Sequence, residues 1–239
     1  MTVELPEPGS CSRSHRAIVG GGGYSPSVEF AGWPERAFTF YEGLEADNSK
    51  AYWTAKRAIY DADVLAPMEA LLGELSGEFG DGRLFRPYRD VRFSADKSPY
   101  KTAMGATLSK GGYIHLSADG LGVAVGYHMM APDQLVRYRQ AVAEEVTGEQ
   151  LRRVIAQVEG RGIDVVGEEP LKTAPRGFSK DHPRADLLRN KGLITWQEWP
   201  VEPWMHTAKA KDRIVRHLRA AQPLQAWLDD HVGRSDRSG

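Results

Sequence analysis

Residues 101–130 read KTAMGATLSKGGYIHLSADGLGVAVGYHMM, and the reading of this stretch decides the fold. Its apolar side chains recur at every second position, the period of a strand with one buried face and not that of a helix. Ser109-Lys110-Gly111-Gly112 interrupts the pattern as a turn, and Asp119-Gly120 is a strong two-residue hairpin signal. The spacing predicts strands over about Lys101 to Leu108, Tyr113 to Ala118 and Leu121 to Met130. With Asp119-Gly120 as the turn, Ser117 pairs with Gly122 and His115 with Ala124.

That pairing sorts the side chains by face. Ile114, Leu116, Leu121, Val123, Val125 and Tyr127 form a core face. The opposite face carries Tyr113, His115, Ser117 and His128 around Gly122, Ala124 and Gly126. Three small residues in a row imply a close approach to the sheet, by a packed helix or by a ligand. Two histidines are too few for a zinc site and no His-x-x-x-His spacing occurs, so the sequence names no metal and no cofactor, although Asp90 or Asp96 would be available as further ligands.

Immediately upstream, the pattern predicts a first strand over about Leu84 to Ser94. It runs into RDVRFSADKSPYK, residues 89–101, with six ionisable side chains plus Tyr100 in thirteen residues. Period two places Arg89 with Val91 and Phe93 on the apolar face, where a guanidinium must meet a carboxylate or carbonyl groups. Asp90, Arg92 and Ser94 fall on the other face. Ser98-Pro99 then forces an extended or turn geometry before Tyr100 and Lys101. Arg92, Lys97 and Lys101, with the Ser94 and Tyr100 hydroxyls, suit a phosphate or carboxylate; a solvated salt-bridge ladder is the bland alternative.

Helical periods flank the sheet. From Pro34, Phe38, Tyr41 and Leu44 share a face; Asp47-Asn48-Ser49 caps a second helix carrying Tyr52, Trp53 and Tyr60; Met68, Leu71, Leu72, Leu75 and Phe79 mark a third, ended by Gly80-Asp81-Gly82. After Pro132 come two more stripes, the second opened by Thr147-Gly148-Glu149-Gln150 as a capping box. LKTAPRGFSKDHPRADLLRNK reads as an ordered loop, Leu193 to Trp199 as a fifth strand, and 204–232 as terminal helices. The fold class is therefore α+β, an antiparallel β-meander sheet of about four to five strands packed with helices.

Composition bounds the rest. The chain has 239 residues, 41% hydrophobic and 26% charged, and 31 basic against 32 acidic residues leave a net charge of -1. A near-neutral chain has no general attraction for nucleic acid or anionic membrane. The single cysteine, Cys11, excludes an internal disulfide and a cysteine zinc site. No apolar run has the length of a membrane span, and the reading is a cytoplasmic protein. Residues 1–28 read as a flexible leader, 29–232 as one domain and 233–239 as a frayed tail. IVGGGGYSP in the leader lacks the residues of a phosphate loop, because no Lys-Ser or Lys-Thr follows and Ser25 replaces the third dinucleotide glycine.

Three stretches carry a resemblance. Asn48 precedes the aromatic pair Tyr52-Trp53; Arg89-Asp90-Val91-Arg92-Phe93-Ser94 leads to Asp96-Lys97 and Pro99-Tyr100-Lys101; and Leu171-Lys172, Pro175-Arg176-Gly177-Phe178, Asp181-His182-Pro183, Leu188-Arg189 and Lys191 follow. Over about residues 30–200 the chain resembles the conserved hypothetical proteins catalogued as domain of unknown function 2461. The Tyr-Trp pair departs from that family's Trp-Phe order. The resemblance implies no particular reaction, but it ties the third stretch to the charged strand.

Lys172, Arg176, Asp181 and His182 are accordingly expected to fold against Arg92, Lys97 and Lys101 as one anion site, with Arg89, Ser94, Asp96, Tyr100 and His115 around it. Asp90 and His128 are the candidate general bases. The leading function is binding, or acting on, a phosphate- or carboxylate-bearing small molecule. A single-stranded nucleic-acid module using Arg86, Arg89, Arg92, Tyr88, Tyr100 and Phe93, and a non-catalytic protein with a buried arginine network, are the alternatives.

Overall fold

The computed structural model describes residues 29–92 and 94–236. The leader with its glycine run and Cys11, the side chain of Phe93, and residues 237–239 lie outside them. No helix among the described residues is long and apolar enough to cross a membrane.

Three helices form from the amphipathic runs: α1 (Glu35–Ala46), α2 (Lys50–Ile59) and α3 (Ala66–Phe79). The Ser49 hydroxyl accepts from the Tyr52 amide at 3.1 Å and opens α2, while Gly80, at φ 79°, ends α3. The chain passes from α2 to α3 through a π-helical stretch, Tyr60–Leu65, without the break that separate helices would have. Tyr60 and Val64 are buried by it.

The sheet has six antiparallel strands in the order β1-β2-β3-β4-β6-β5: β1 (Gly82–Leu84), β2 (Ala103–Leu108), β3 (Tyr113–Ser117), β4 (Gly120–Tyr127), β5 (Asp164–Glu168) and β6 (Gly192–Pro200). The antiparallel meander and the strand at Leu193 to Trp199 are present. The edge strand β5 is an addition, too short and too little buried to announce itself by period.

Two details of the meander differ from the sequence reading. Ser117 pairs with Gly120 and His115 with Gly122, so Ala118-Asp119 is the turn. The slip is two residues, which preserves every face assignment. Gly120 is required by its neighbour: a Cβ there would stand 2.1 Å from the Trp199 carbonyl oxygen across the β4–β6 pair. The first strand is also shorter than expected. Regular pairing stops at Leu84, a single bridge joins Tyr88 to Tyr100, and residues between them form a charged loop, because Ser98-Pro99 turns the chain back.

All the helices pack on one face. The first core joins α1, α2, α3 and the front half of α7 (Lys209–His231) to Met104, Ala106, Ile114, Leu116, Leu121, Val123 and Val125. The second joins α4 (Pro132–Ala143), α5 (Glu145–Glu159), α6 (Ala185–Leu188) and the back half of α7 to Leu193, Tyr127 and Val165. The strand registers put both sets of sheet residues on the same side. Helix α7 spans both cores, with Ile214 and Leu218 in one and Leu224, Trp227 and Leu228 in the other. Each fully buried leucine contributes about 2 kcal/mol by apolar burial.

Helix α5 begins earlier than the expected capping box, because the Glu144 carboxylate accepts from the Val146 and Thr147 amides and supplies the cap. Where a frayed tail was expected from 233, Arg137 of α4 donates to the Val232 and Arg234 carbonyls and Asp133 accepts from Ser235 and the Asp236 amide.

Candidate functional site

The second face of the sheet carries none of the helices, and its floor is set by glycine. Gly105 of β2 and Gly122 of β4 both pair with His115 of β3, so they lie on that face in one row. A Cβ on Gly122 would stand 2.7 Å from the Trp196 ring, and one on Gly105 would stand 2.7 Å from the Tyr113 hydroxyl and 3.0 Å from the Phe85 ring. The small residues therefore admit the sheet's own aromatic side chains, not a helix. Phe85 and Tyr113 lie 6.0 Å apart between centroids, and His115 sits 6.2 Å from both Tyr113 and Trp196.

This row has a polar side. The Tyr113 hydroxyl is 3.3 Å from His115 Nδ1. Burial lowers the His115 pKa to about 4 and raises that of Tyr113, so at neutral pH an uncharged imidazole and a neutral phenol share this hydrogen bond.

Lys101 lies at the end of the row. Its ammonium is 5.3 Å from the centre of the Phe85 ring, and its side chain is half-buried. Its backbone amide is spent on the Pro87 carbonyl. Among the described residues no carboxylate or carbonyl takes a hydrogen bond from the ammonium. Burial, and then the neighbouring Arg86 charge, lower its pKa.

The rest of the charged signature is paired within itself. Arg89 bonds Asp96, whose other oxygen accepts from the Ser98 amide at 2.8 Å and hydroxyl at 2.7 Å. Asp90 takes Arg92 Nε at 2.9 Å and its terminal nitrogen at 2.6 Å. Lys97 donates to the Val91 carbonyl at 2.9 Å. The arginine bonds hold Asp90 near pKa 2 and Asp96 lower still, which makes Asp90 a poor general base. Arg89 meets the carboxylate it was expected to meet, but with 32% of its side chain exposed it is not the buried arginine of this fold. Ser94 is half-buried beside this loop.

Tyr100 belongs to the core. Its ring stacks on Trp53 at 4.4 Å and 9°, and its backbone is gripped on both sides by the Asn48 amide. The Asn48, Trp53 and Tyr100 positions of the signature are thus one structural clamp.

The third stretch and this loop spring from opposite ends of the sheet. Residues 89–101 lead into β2 at the end of the sheet marked by Ser117, Gly120 and Pro200, whereas β6 begins at the other end, opposite Tyr127. The eight residues of β4 separate these ends, roughly 24 Å at about 3.4 Å per residue, against a Debye length of about 10 Å. Lys172 and Arg176, both exposed, lie in the stretch anchored at that other end, where the Leu171 amide bonds the Arg189 carbonyl and Phe178 packs in the second core. Asp181 is exposed too, and His182 Nδ1 accepts from the Arg184 amide at 3.0 Å.

The residue that gives this stretch its structure is Arg184, 2% exposed. It donates to the carbonyls of Val142, Ala143 and Glu144 and to Glu149 at 2.7 Å, so it closes the end of α4 and ties it to α5. A buried arginine network exists, but around Arg184, which sequence period did not single out because it lies in a loop.

His128 lies at the far end of the open face, with Nδ1 3.2 Å from the buried Glu168 carboxylate. Its neighbours Met129 and Glu169 have positive φ, 48° and 39°. Among the described residues no three His, Cys, Asp or Glu side chains are grouped to hold a metal ion.

Trp196, Phe85 and Tyr113 were not read as site residues. Period had placed Tyr113 and His115 beside the glycines, but Trp196 joins them only through the β4–β6 pairing.

Comparison with curated proteins found no match, and comparison with solved structures found none. A family match does cover residues 36–227, from α1 into the back half of α7 and so beyond the three stretches of resemblance. The chain belongs to the family described as "Conserved hypothetical protein (DUF2461)".

Proposed function

We propose that the protein binds an anionic small molecule with a planar ring on the open sheet face, its phosphate or carboxylate on Lys101 and Arg86 and its ring against Tyr113, His115 and Trp196. The observation that carries this reading is the half-buried Lys101 ammonium without an anionic partner at the end of an aromatic row. A lysine removed from water in this way gains more from an incoming anion than an exposed one does. The arginines and lysine of the neighbouring loop already hold their own acceptors, so the anion site is smaller than the charged signature suggests.

Melting temperature and Trp fluorescence, followed against aromatic carboxylates, nucleoside monophosphates and inorganic phosphate, test the reading. Binding of a ring-bearing anion that is lost in Lys101→Met and weakened in Trp196→Ala is the expected result. Equal binding by wild type and Lys101→Met, or indifference to every anion, overturns it.

A second reading is favoured by the same aromatic row on a helix-free antiparallel face, the arrangement on which single-stranded bases stack. It uses Phe85, Tyr113 and Trp196 in place of Tyr100, which is buried. Tight, steeply salt-dependent binding of oligonucleotides, with no response to mononucleotides, would select it.

A further inference from the structure

We infer that Lys101 is a nucleophile that forms an imine with an aldehyde or 2-oxo acid whose anionic group rests on Arg86. The inference rests on the reading above and names its substrate class. An amine becomes nucleophilic when it is withdrawn from water, has no carboxylate to hold its proton and stands beside a second cation. Lys101 meets all three conditions: it is half-buried over the Phe85 ring, no carboxylate bonds it, and Arg86 is its charged neighbour. The other lysines of known partnership differ, since Lys191 is bonded to Glu169, Lys211 to Glu74, and Lys97 and Lys110 to carbonyls.

The row also supplies the proton that the reaction must move. The neutral Lys101 amine attacks the carbonyl carbon, a C–N bond forms, and the carbonyl oxygen becomes the hydroxyl of a carbinolamine. That hydroxyl takes one proton from a nearby acid and leaves as water as the nitrogen lone pair forms the C=N bond; the nitrogen then returns its proton to the same acid, and no oxidant or reductant is consumed. Tyr113 is the acid on this face: its ring is 6.0 Å from the Phe85 ring that Lys101 covers, and its hydroxyl is paired with His115 Nδ1 at 3.3 Å. The carboxylate of a 2-oxo acid adjoins its carbonyl carbon, so an anion held by Arg86 brings the electrophile to the neighbouring amine.

The test uses the full chain with phenylpyruvate, with phenyllactate as the isostere that has no carbonyl. Each is incubated with the protein, borohydride is added, and the product is mapped by peptide mass spectrometry. The expected result is a reduced adduct of phenylpyruvate at Lys101, at least tenfold above any other lysine and absent with phenyllactate. Lys101→Arg, which keeps the charge, should lose the adduct, and Tyr113→Phe should slow trapping severalfold at saturating phenylpyruvate. Adducts spread evenly over the surface lysines overturn the inference. Binding of both compounds without an adduct at Lys101 overturns the imine and leaves anion binding standing, whereas binding of neither overturns both.

Discussion

Asn48 holds Tyr100 by both of its backbone groups: Asn48 Nδ2 donates to the Tyr100 carbonyl and Asn48 Oδ1 accepts from the Tyr100 amide, each at 3.0 Å. A primary amide is the one side chain that offers this donor and acceptor together, so it replaces the strand that the sheet lacks at that point. The clamp fixes where the charged loop ends and where Lys101 begins.

Asn48→Ala should therefore destabilise the protein by about 2–3 kcal/mol, two ordinary hydrogen bonds with part of the penalty for leaving the backbone groups unmet. Asn48→Asp should recover less than half, because a carboxylate accepts from the amide but repels the carbonyl. Urea unfolding measures both, and an alanine variant within experimental error of wild type would show that the clamp contributes nothing.

The two arginines of the signature stretches should behave differently. Arg184→Met strands three carbonyls and Glu149, and a loss of about 3–5 kcal/mol is expected. Arg184→Lys should restore little, since one ammonium cannot span the same fork of acceptors. Gly148→Ala should fail in the same way, because its Cβ would stand 2.3 Å from Arg184 Nε and 2.4 Å from the Val142 carbonyl oxygen. Arg89→Met, which removes a half-exposed pair, should leave the urea midpoint nearly unchanged.

Stability should fall with acidification through a window set by two histidines. Burial lowers His115 and His217 to about 4, below the usual value near 6.5. The unfolded chain then binds more protons than the folded one between these values, so stability rises with pH across the window and is lost as pH falls from about 6.5 towards 4. His217, 3.0 Å from the Thr195 hydroxyl with Nδ1 buried and unmatched, is the cleaner probe. His217→Leu should flatten the slope of unfolding free energy against pH; an unchanged slope would place the titration elsewhere.

Gly122→Val should push Trp196 off the sheet, because its Cβ alone would stand 2.7 Å from that ring. A red shift in Trp emission with a retained far-UV circular dichroism spectrum is the expected signature. Loss of anion binding in this variant would tie the binding surface to the aromatic row.

By itself the sequence determined the α+β class, the antiparallel meander and which side of β3 and β4 is apolar, because these follow from local periods and from turn residues; Phe85, expected with Arg89 and Val91 on the apolar face, stands instead beside Gly105 and Tyr113 on the helix-free one. The faces survived the two-residue error in the hairpin, since strand parity repeats every two residues. Ser49 and Gly80 likewise announced their helix boundaries through local backbone chemistry. Only the tertiary structure decided which charges are committed. The Arg89 to Lys101 stretch looked like one cationic site, but Asp96, Asp90 and the Val91 carbonyl occupy Arg89, Arg92 and Lys97 and leave Lys101, and a period of two cannot see a loop folding on itself. The separation of the two signature loops, the burial of Arg184 and the arrival of Trp196 beside His115 all depend on β6 pairing with β4 across a long connection. That pairing is a contact between residues about 70 positions apart in sequence, and no local pattern records it.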